Sequence, residues 1–185
     1  MSAFYLALLT VLVSGIGARD QITVAGLTRH HGARPGILVS AIIVVIATAA
    51  FAGWAAMLII PIMQPNPRVF LCAVTLAFAA AELLLMMPRP PKGEPTHSLG
   101  ALTIVLLSNQ LTDAARFVVF GIAVAMNAPI PAAAGGALGG MVLLGWAWAA
   151  PQQVLHPRLR PLRRGVGVVL ALIAAYVALR AMGRI

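Results

Sequence analysis

Six apolar stretches separated by short polar breaks dominate the chain, at about residues 3–28, 37–62, 69–87, 99–126, 131–150 and 165–182. Each is near the roughly 20 residues that an α-helix needs to cross a hydrocarbon core. Pro35 opens the second, the Pro65–Asn66–Pro67 break precedes the third, and Pro131 starts the fifth. Proline costs little there, because the first N–H groups of a helix lack intrahelical partners anyway. The longest polar insertion, PRPPKGEPTHS at 88–98, reads as a hydrophilic linker, too short for a domain. The pattern predicts an all-α, polytopic membrane protein of six transmembrane helices. Residues 1–87 and 99–185 form two three-helix units joined by the linker.

Two apolar stretches carry polar residues at depth. In the fourth, SNQLTDAARFVVFG runs from Ser108 to Gly121. At about 100° per residue, Asn109, Gln110, Asp113 and Arg116 fall on one face of a continuous helix. A charge at the bilayer centre costs roughly 2.5–3.5 kcal/mol on insertion scales, so such a face must look into the bundle and find partners. It serves either a solute or ion pathway or a polar knot between helices. In the first stretch, Gly15-Ile-Gly-Ala-Arg-Asp-Gln21 places three consecutive polar residues after a Gly-x-Gly. Three in a row cannot share one helix face, and the glycines loosen the backbone. A broken helix is expected, as in discontinuous transporter helices. The alternative is a helix ending near Ala18, with Arg19 and Asp20 at the surface and 22–28 lying at the interface.

The halves repeat at a shift of about 95 residues: Gly26 meets Gly121, Pro35 lies near Pro131, Trp54-Ala-Ala matches Trp148-Ala-Ala, and Met87 matches Met182. A repeat of three helices lies inverted in the membrane, a plan that puts a site at midplane between the halves. Arg19 is then expected to pair with Asp113, and Asp20 with Arg116. Glu82, late in the third stretch, either joins that site or sits near the inner surface.

Composition agrees with the pattern. The chain of 185 residues is 61% hydrophobic and 9% charged, against 45–50% apolar in typical soluble domains. The net charge of +9 does not indicate nucleic acid, because the basic residues lie scattered in the breaks. With the N-terminus outside, inner loops hold Arg29, Arg34, Arg89, Lys92, Arg158, Arg160, Arg163 and Arg164, and outer segments hold Arg68, Arg180 and Arg184. Eight against three predicts an inner or plasma membrane protein with both termini outside. The opening residues lack a basic n-region and read as a retained helix rather than a signal peptide. The single Cys72 excludes an internal disulfide.

Residues 15–21 and 110–116 occupy the places of two copies of E-x-G-D-[KR]-[ST], and on them the chain resembles the Gdt-one family of the LysE transporter superfamily. The likeness spans nearly the whole chain, including the closing run 158–182. In the first copy Gly17 keeps the glycine, Arg19 the basic residue and Gln21 a frequent following Gln. Gly15, Ala18 and Asp20 stand for Glu, Asp and the hydroxyl residue. In the second copy Asp113 keeps the Asp, while Gln110, Thr112, Ala114 and Ala115 replace Glu, Gly, the basic and the hydroxyl residue. The resemblance implies exchange of calcium or manganese against protons. Asp113 would be the binding carboxylate, Gln110 and Thr112 neutral ligands, and Arg19, Asp20 and Arg116 would shape the field. Calcium prefers several carboxylates among six to eight oxygens, so the substitutions also admit two other outcomes. One is a scaffold that no longer transports; the other is an exporter of a different small solute, such as an amino acid.

The remaining features have simpler readings. Gly135–Gly139 and Gly136–Gly140 form overlapping GxxxG pairs suited to close helix packing. His30–His31 has no Cys, Asp or Glu nearby and is not expected to hold a metal. Trp54, Trp146 and Trp148 fit the interfacial belt. No P-loop, H-E-x-x-H or G-x-S-x-G is present, so an enzyme is not expected. The expected partners are the lipid bilayer and a transported ion or small solute, with no cofactor beyond a transported cation; a homo-oligomer is compatible with the pattern. The charge count makes a direct prediction. In a Cys72→Ala background, Ser2→Cys should react with an impermeant thiol reagent added outside intact cells, and Gly93→Cys should not. The reverse labelling would invert the topology.

Overall fold

The structure, a computed structural model, describes residues 1–86 and 98–184. These are almost entirely helical: α1 (Ser2–Ser14), α2 (Arg19–His31), α3 (Pro35–Ile59), α4 (Pro65–Leu85), α5 (Leu99–Leu111), α6 (Ala114–Ala125), α7 (Pro129–Ala149), the short α8 (Pro151–Val154) and α9 (Leu159–Ala181). The expected linker lies outside the described residues, apart from Ser98. The Ser98 hydroxyl accepts from the Ala101 N–H at 3.4 Å and caps α5. Proline stands in the first turn of α3, α4 and α7. At the far end of α3, Arg68 donates to the carbonyls of Met63 (2.8 Å) and Ile60 (2.7 Å). This outer arginine thus closes orphan carbonyls at a helix end. Arg29, His30 and His31 lie in the last turn of α2, where positive charge suits the helix dipole.

Four helices, α3, α4, α7 and α9, are long and apolar enough to cross a bilayer, and α1 with α2, bent by 59°, adds a fifth. The protein is therefore an all-helical membrane protein. The fourth apolar stretch departs from expectation. In place of one helix over 99–126 there are α5 and α6, of 13 and 12 residues, each too short to cross alone. The first stretch breaks where Gly-x-Gly predicted, between Ser14 and Arg19. Gly17 there takes φ +70°, a conformation open to glycine and costly for other residues.

The broken pieces sit inside. Nine of the twelve residues of α6 are buried, enclosed by α3, α4 and α7 with α1 alongside. In α9 four of 23 are buried, so this helix lies at the edge, packed along α4. Exposed Leu9, Ile43, Phe51, Ile104 and Leu172 give the outer faces the apolar surface that lipid requires. The tryptophans lie near helix ends. Trp148 Nε1 donates to the Arg34 carbonyl at 3.1 Å, tying the end of α7 to the start of α3, and Trp146 Nε1 donates to Gln153 at 2.9 Å.

The doubled GxxxG packs on two sides at once. A Cβ at Gly135 would collide with the Phe4 carbonyl of α1. One at Gly139 would meet the Leu8 carbonyl at 3.1 Å and Val11 Cγ1 at 3.1 Å. Gly136 faces Val119 of α6, while Gly140 leaves room for Val45 and the Arg116 guanidinium, 2.9 and 3.4 Å from a Cβ built there. Backbone contact is thus real on the α1 side, as small residues permit. Gly139→Leu should lower the detergent melting temperature by several degrees, since overpacking typically costs about 1–3 kcal/mol and each kcal/mol is worth about 2–4 °C at this size. An unchanged melting curve would place that face against lipid.

Candidate functional site

Breaking a helix frees backbone groups that hydrocarbon cannot satisfy. At the first break Gln21 folds back and its Oε1 accepts the Gly17 N–H at 2.6 Å, while its Nε2 donates to the Leu143 carbonyl of α7 at 3.1 Å. Asp20 Oδ1 accepts the Gln21 N–H at 2.7 Å. At the second break Asp113 caps α6, its Oδ2 accepting the Ala115 N–H at 3.3 Å. The stranded Thr112 carbonyl accepts from Arg19 Nη2 at 3.0 Å, and the same nitrogen reaches the Thr112 hydroxyl at 2.9 Å. Asp20 and Asp113 thus stand at the starts of α2 and α6, where negative charge is favourable.

Side chains then join the two breaks. Gln110 Nε2 donates to Asp20 Oδ2 at 2.9 Å. Its Oε1 accepts from Thr48 of α3 at 2.9 Å and from Arg116 Nη2 at 3.4 Å. Turning the amide over would set oxygen against carboxylate and nitrogen against guanidinium, so the neighbours fix its orientation. On the other side Arg163 Nη2 of α9 donates to both oxygens of Glu82 at 2.7 Å, and Arg19 Nε lies 3.7 Å from Glu82 Oε1. Asp113 sits between, acted on by the charges of Arg163, Arg116 and Arg19.

All six expected residues therefore belong to one neighbourhood, with different partners from those expected. Arg19 binds Thr112 and approaches Glu82; it does not pair with Asp113 within 4.0 Å. Asp20 reaches Arg116 only through the Gln110 amide. Gln110, Asp113 and Arg116 are buried, Asn109 is half-buried, and Thr112 is exposed at the break. The single continuous polar face fails because the helix turns at Thr112–Asp113. Surface placement of Asp20 fails too, since Asp20 is 8% exposed.

Two residues change the picture. Glu82, in the last turn of α4, is inside the network, and Arg163, counted above as a loop charge, is 5% exposed and bound to it. The available signal was scarcity: the chain has four acidic residues, and three of them, Asp20, Glu82 and Asp113, meet here. Three arginines, Arg19, Arg116 and Arg163, balance them. The paired carboxylates use their oxygens on N–H donors. Asp113 Oδ1 is left buried without a hydrogen bond from the protein, as are Nε and Nη1 of Arg116 and Nε and Nη1 of Arg163, while Arg19 Nε has the Glu82 carboxylate at 3.7 Å and no hydrogen bond. A small cavity of about 10 Å³ lies against Asp20, Asp113 and Arg116, beside Gly15 and Gly140. It has room for about one water molecule.

Among the described residues no three His, Cys, Asp or Glu side chains converge to hold a metal ion. Gln110, expected with Asp113 as a metal ligand, has both ends of its amide engaged. No protein-family model, curated protein or solved structure matches the chain.

The Glu82–Arg163 pair gives a stability test. Removing one partner of a buried pair strands the other and costs typically about 3–5 kcal/mol, more than removing both. Glu82→Gln should thus lower the melting temperature more than Glu82→Gln with Arg163→Gln. A double variant as damaged as the sum of the two single changes would show that the two side chains do not depend on each other.

Proposed function

We propose that the chain is a membrane carrier for a small ion or solute, with the two helix breaks and their charge network as its transport site. In this reading α1–α2 and α5–α6 are one interrupted crossing each, giving six crossings in two inverted halves. The packing supports it by exchange of partners: α1 lies on α7 as α5 lies on α3, and α3 meets α7 as α4 meets α9. Where the exchange fails is equally informative. The third helix of the first half, α4, packs along α6, whereas α9 makes little contact with α2, which is covered instead by α7, α8 and α5. There Arg19, 25% exposed, and the unwound backbone of Thr112 reach the surface. Irregular backbone at membrane depth is tolerated where it lines a water-filled cavity. Arg19 and Thr112 are therefore the exposed edge of the network.

The carrying observation is the convergence of three carboxylates and three guanidiniums on two interrupted helices, since ionisable groups at this depth mark pathways by default. The basic end is the cytoplasmic one in this reading: without the buried Arg163, seven basic residues still oppose three. Calcium or manganese exchange, which the family resemblance implies, asks for several free carboxylate oxygens. The donor set here offers Asp113 Oδ1 and sets three arginines against the cation.

A second reading, a scaffold that does not transport, is favoured by one fact: each acid also serves a helix start or an ion pair. Asp113→Asn separates the two, because asparagine caps a helix about as well as aspartate. In liposomes, the wild type should carry protons, calcium, manganese or a small anion faster than protein-free vesicles. Asp113→Asn should abolish that flux with little loss of thermal stability. Absence of flux for the whole panel, with a folded wild type, would favour the scaffold.

A further inference from the structure

The unmet hydrogen-bonding capacity of the network is one-sided. Four buried guanidinium nitrogens, Nε and Nη1 of Arg116 and of Arg163, have no hydrogen-bond acceptor in the protein, against one carboxylate oxygen, Asp113 Oδ1, without a donor. Arg116 and Arg163 are 6% and 5% exposed, so these are not groups satisfied by bulk water. A buried site with surplus donors is completed by a ligand rich in acceptors, and guanidinium geometry matches planar oxyanions. Resting on the carrier reading for its biological meaning, we propose that the site takes a small monovalent oxyanion, held by the free N–H groups of Arg116 beside Asp113 and admitted past Arg19.

Charge balance adds a proton. Three acids and three arginines leave the network neutral, and an added anion would be an uncompensated buried charge, which is costly. Asp113 is the acceptor for that proton, because its Oδ1 has no bond to lose. The groups acting on it are Arg19 and Asp20 of α2, Glu82 of α4, Arg116 of its own helix and Arg163 of α9; α5 presents the neutral Gln110. One proton moves from solvent to Asp113 Oδ1 for each anion bound, and no other bond changes. The cavity of about 10 Å³ is too small for a polyatomic anion, so binding opens the Arg19–Thr112 contact. That contact lies at the exposed edge, where the network is weakest.

Purified full-length protein in a neutral detergent tests this with sodium nitrate and sodium L-lactate against sodium chloride at constant ionic strength. Nitrate or lactate should raise the melting temperature saturably, by roughly 5–10 °C at a hundredfold excess over Kd. Calorimetric titration in two buffers of different ionisation enthalpy should show about one proton taken up per anion. Arg116→Gln should weaken binding at least tenfold; should that variant not fold, Arg19→Lys, which keeps the charge at the exposed edge, should retain binding while Arg19→Gln weakens it. Stabilisation by calcium or manganese chloride with no response to either oxyanion overturns the proposal. So does a response confined to nanodiscs of phosphatidylglycerol, or no response at all, which would leave the free donors merely hydrated. Oxyanion binding without flux in liposomes would preserve this site and defeat the carrier reading; calcium flux without oxyanion binding would do the opposite.

Discussion

The constraint behind this structure is that an interrupted helix inside a bilayer must find partners for the backbone groups it frees. Each such group left alone costs several kcal/mol. The protein meets this almost entirely with side chains from the breaks themselves. Gln21 covers Gly17, Asp20 covers Gln21, Asp113 covers Ala115, and Arg19 reaches across to the Thr112 carbonyl. The acids come with negative charge, and that charge is what obliges Arg116 and Arg163 to be buried, and Arg19 half-buried, beside them. The cluster is thus a chain of consequences: broken backbone, acidic caps, then guanidiniums.

Packing decides where the cluster can sit. Four glycines on α7 let α1, α6 and α3 close in, and Gly140 in particular leaves space for the Arg116 head. Had that position carried a larger side chain, Arg116 would lose its place beside Gln110 and the network its link to Asp20. The edge helix α9 contributes through Arg163, whose bond to Glu82 holds α9 to α4 at the level of the breaks. Stability and chemistry share the same residues here. A neutral substitute that keeps the cap is therefore more informative than truncation.

Much of the fold was legible from sequence. Apolar run length gives the helices, proline gives their starts, and Gly-x-Gly gives the first break. The second break was not legible, because Leu111-Thr112-Asp113 contains neither glycine nor proline. Asp113 makes the turn by capping α6, a role that the neighbouring apolar residues conceal in a periodicity count. The six candidate residues were visible as polar groups in apolar surroundings, but their pairing was not. Gln110 stands between Asp20 and Arg116 because three-dimensional distances placed it there. Arg163 was hidden by company: within RPLRR, at residues 160–164, nothing distinguishes the arginine that turns inward.

The central claim is that the two breaks are held together as one network, and the Asp20–Gln110 hydrogen bond of 2.9 Å is its most direct link between the halves. A double-mutant cycle with Asp20→Ala and Gln110→Ala, read by unfolding of the purified protein, measures that link. Residues sharing a buried network couple by about 0.5–3 kcal/mol, and a charged acceptor puts the expectation in the upper part of that range. Coupling of at least about 1 kcal/mol is the predicted result. Additivity within about 0.3 kcal/mol, the behaviour of independent sites, would contradict the account.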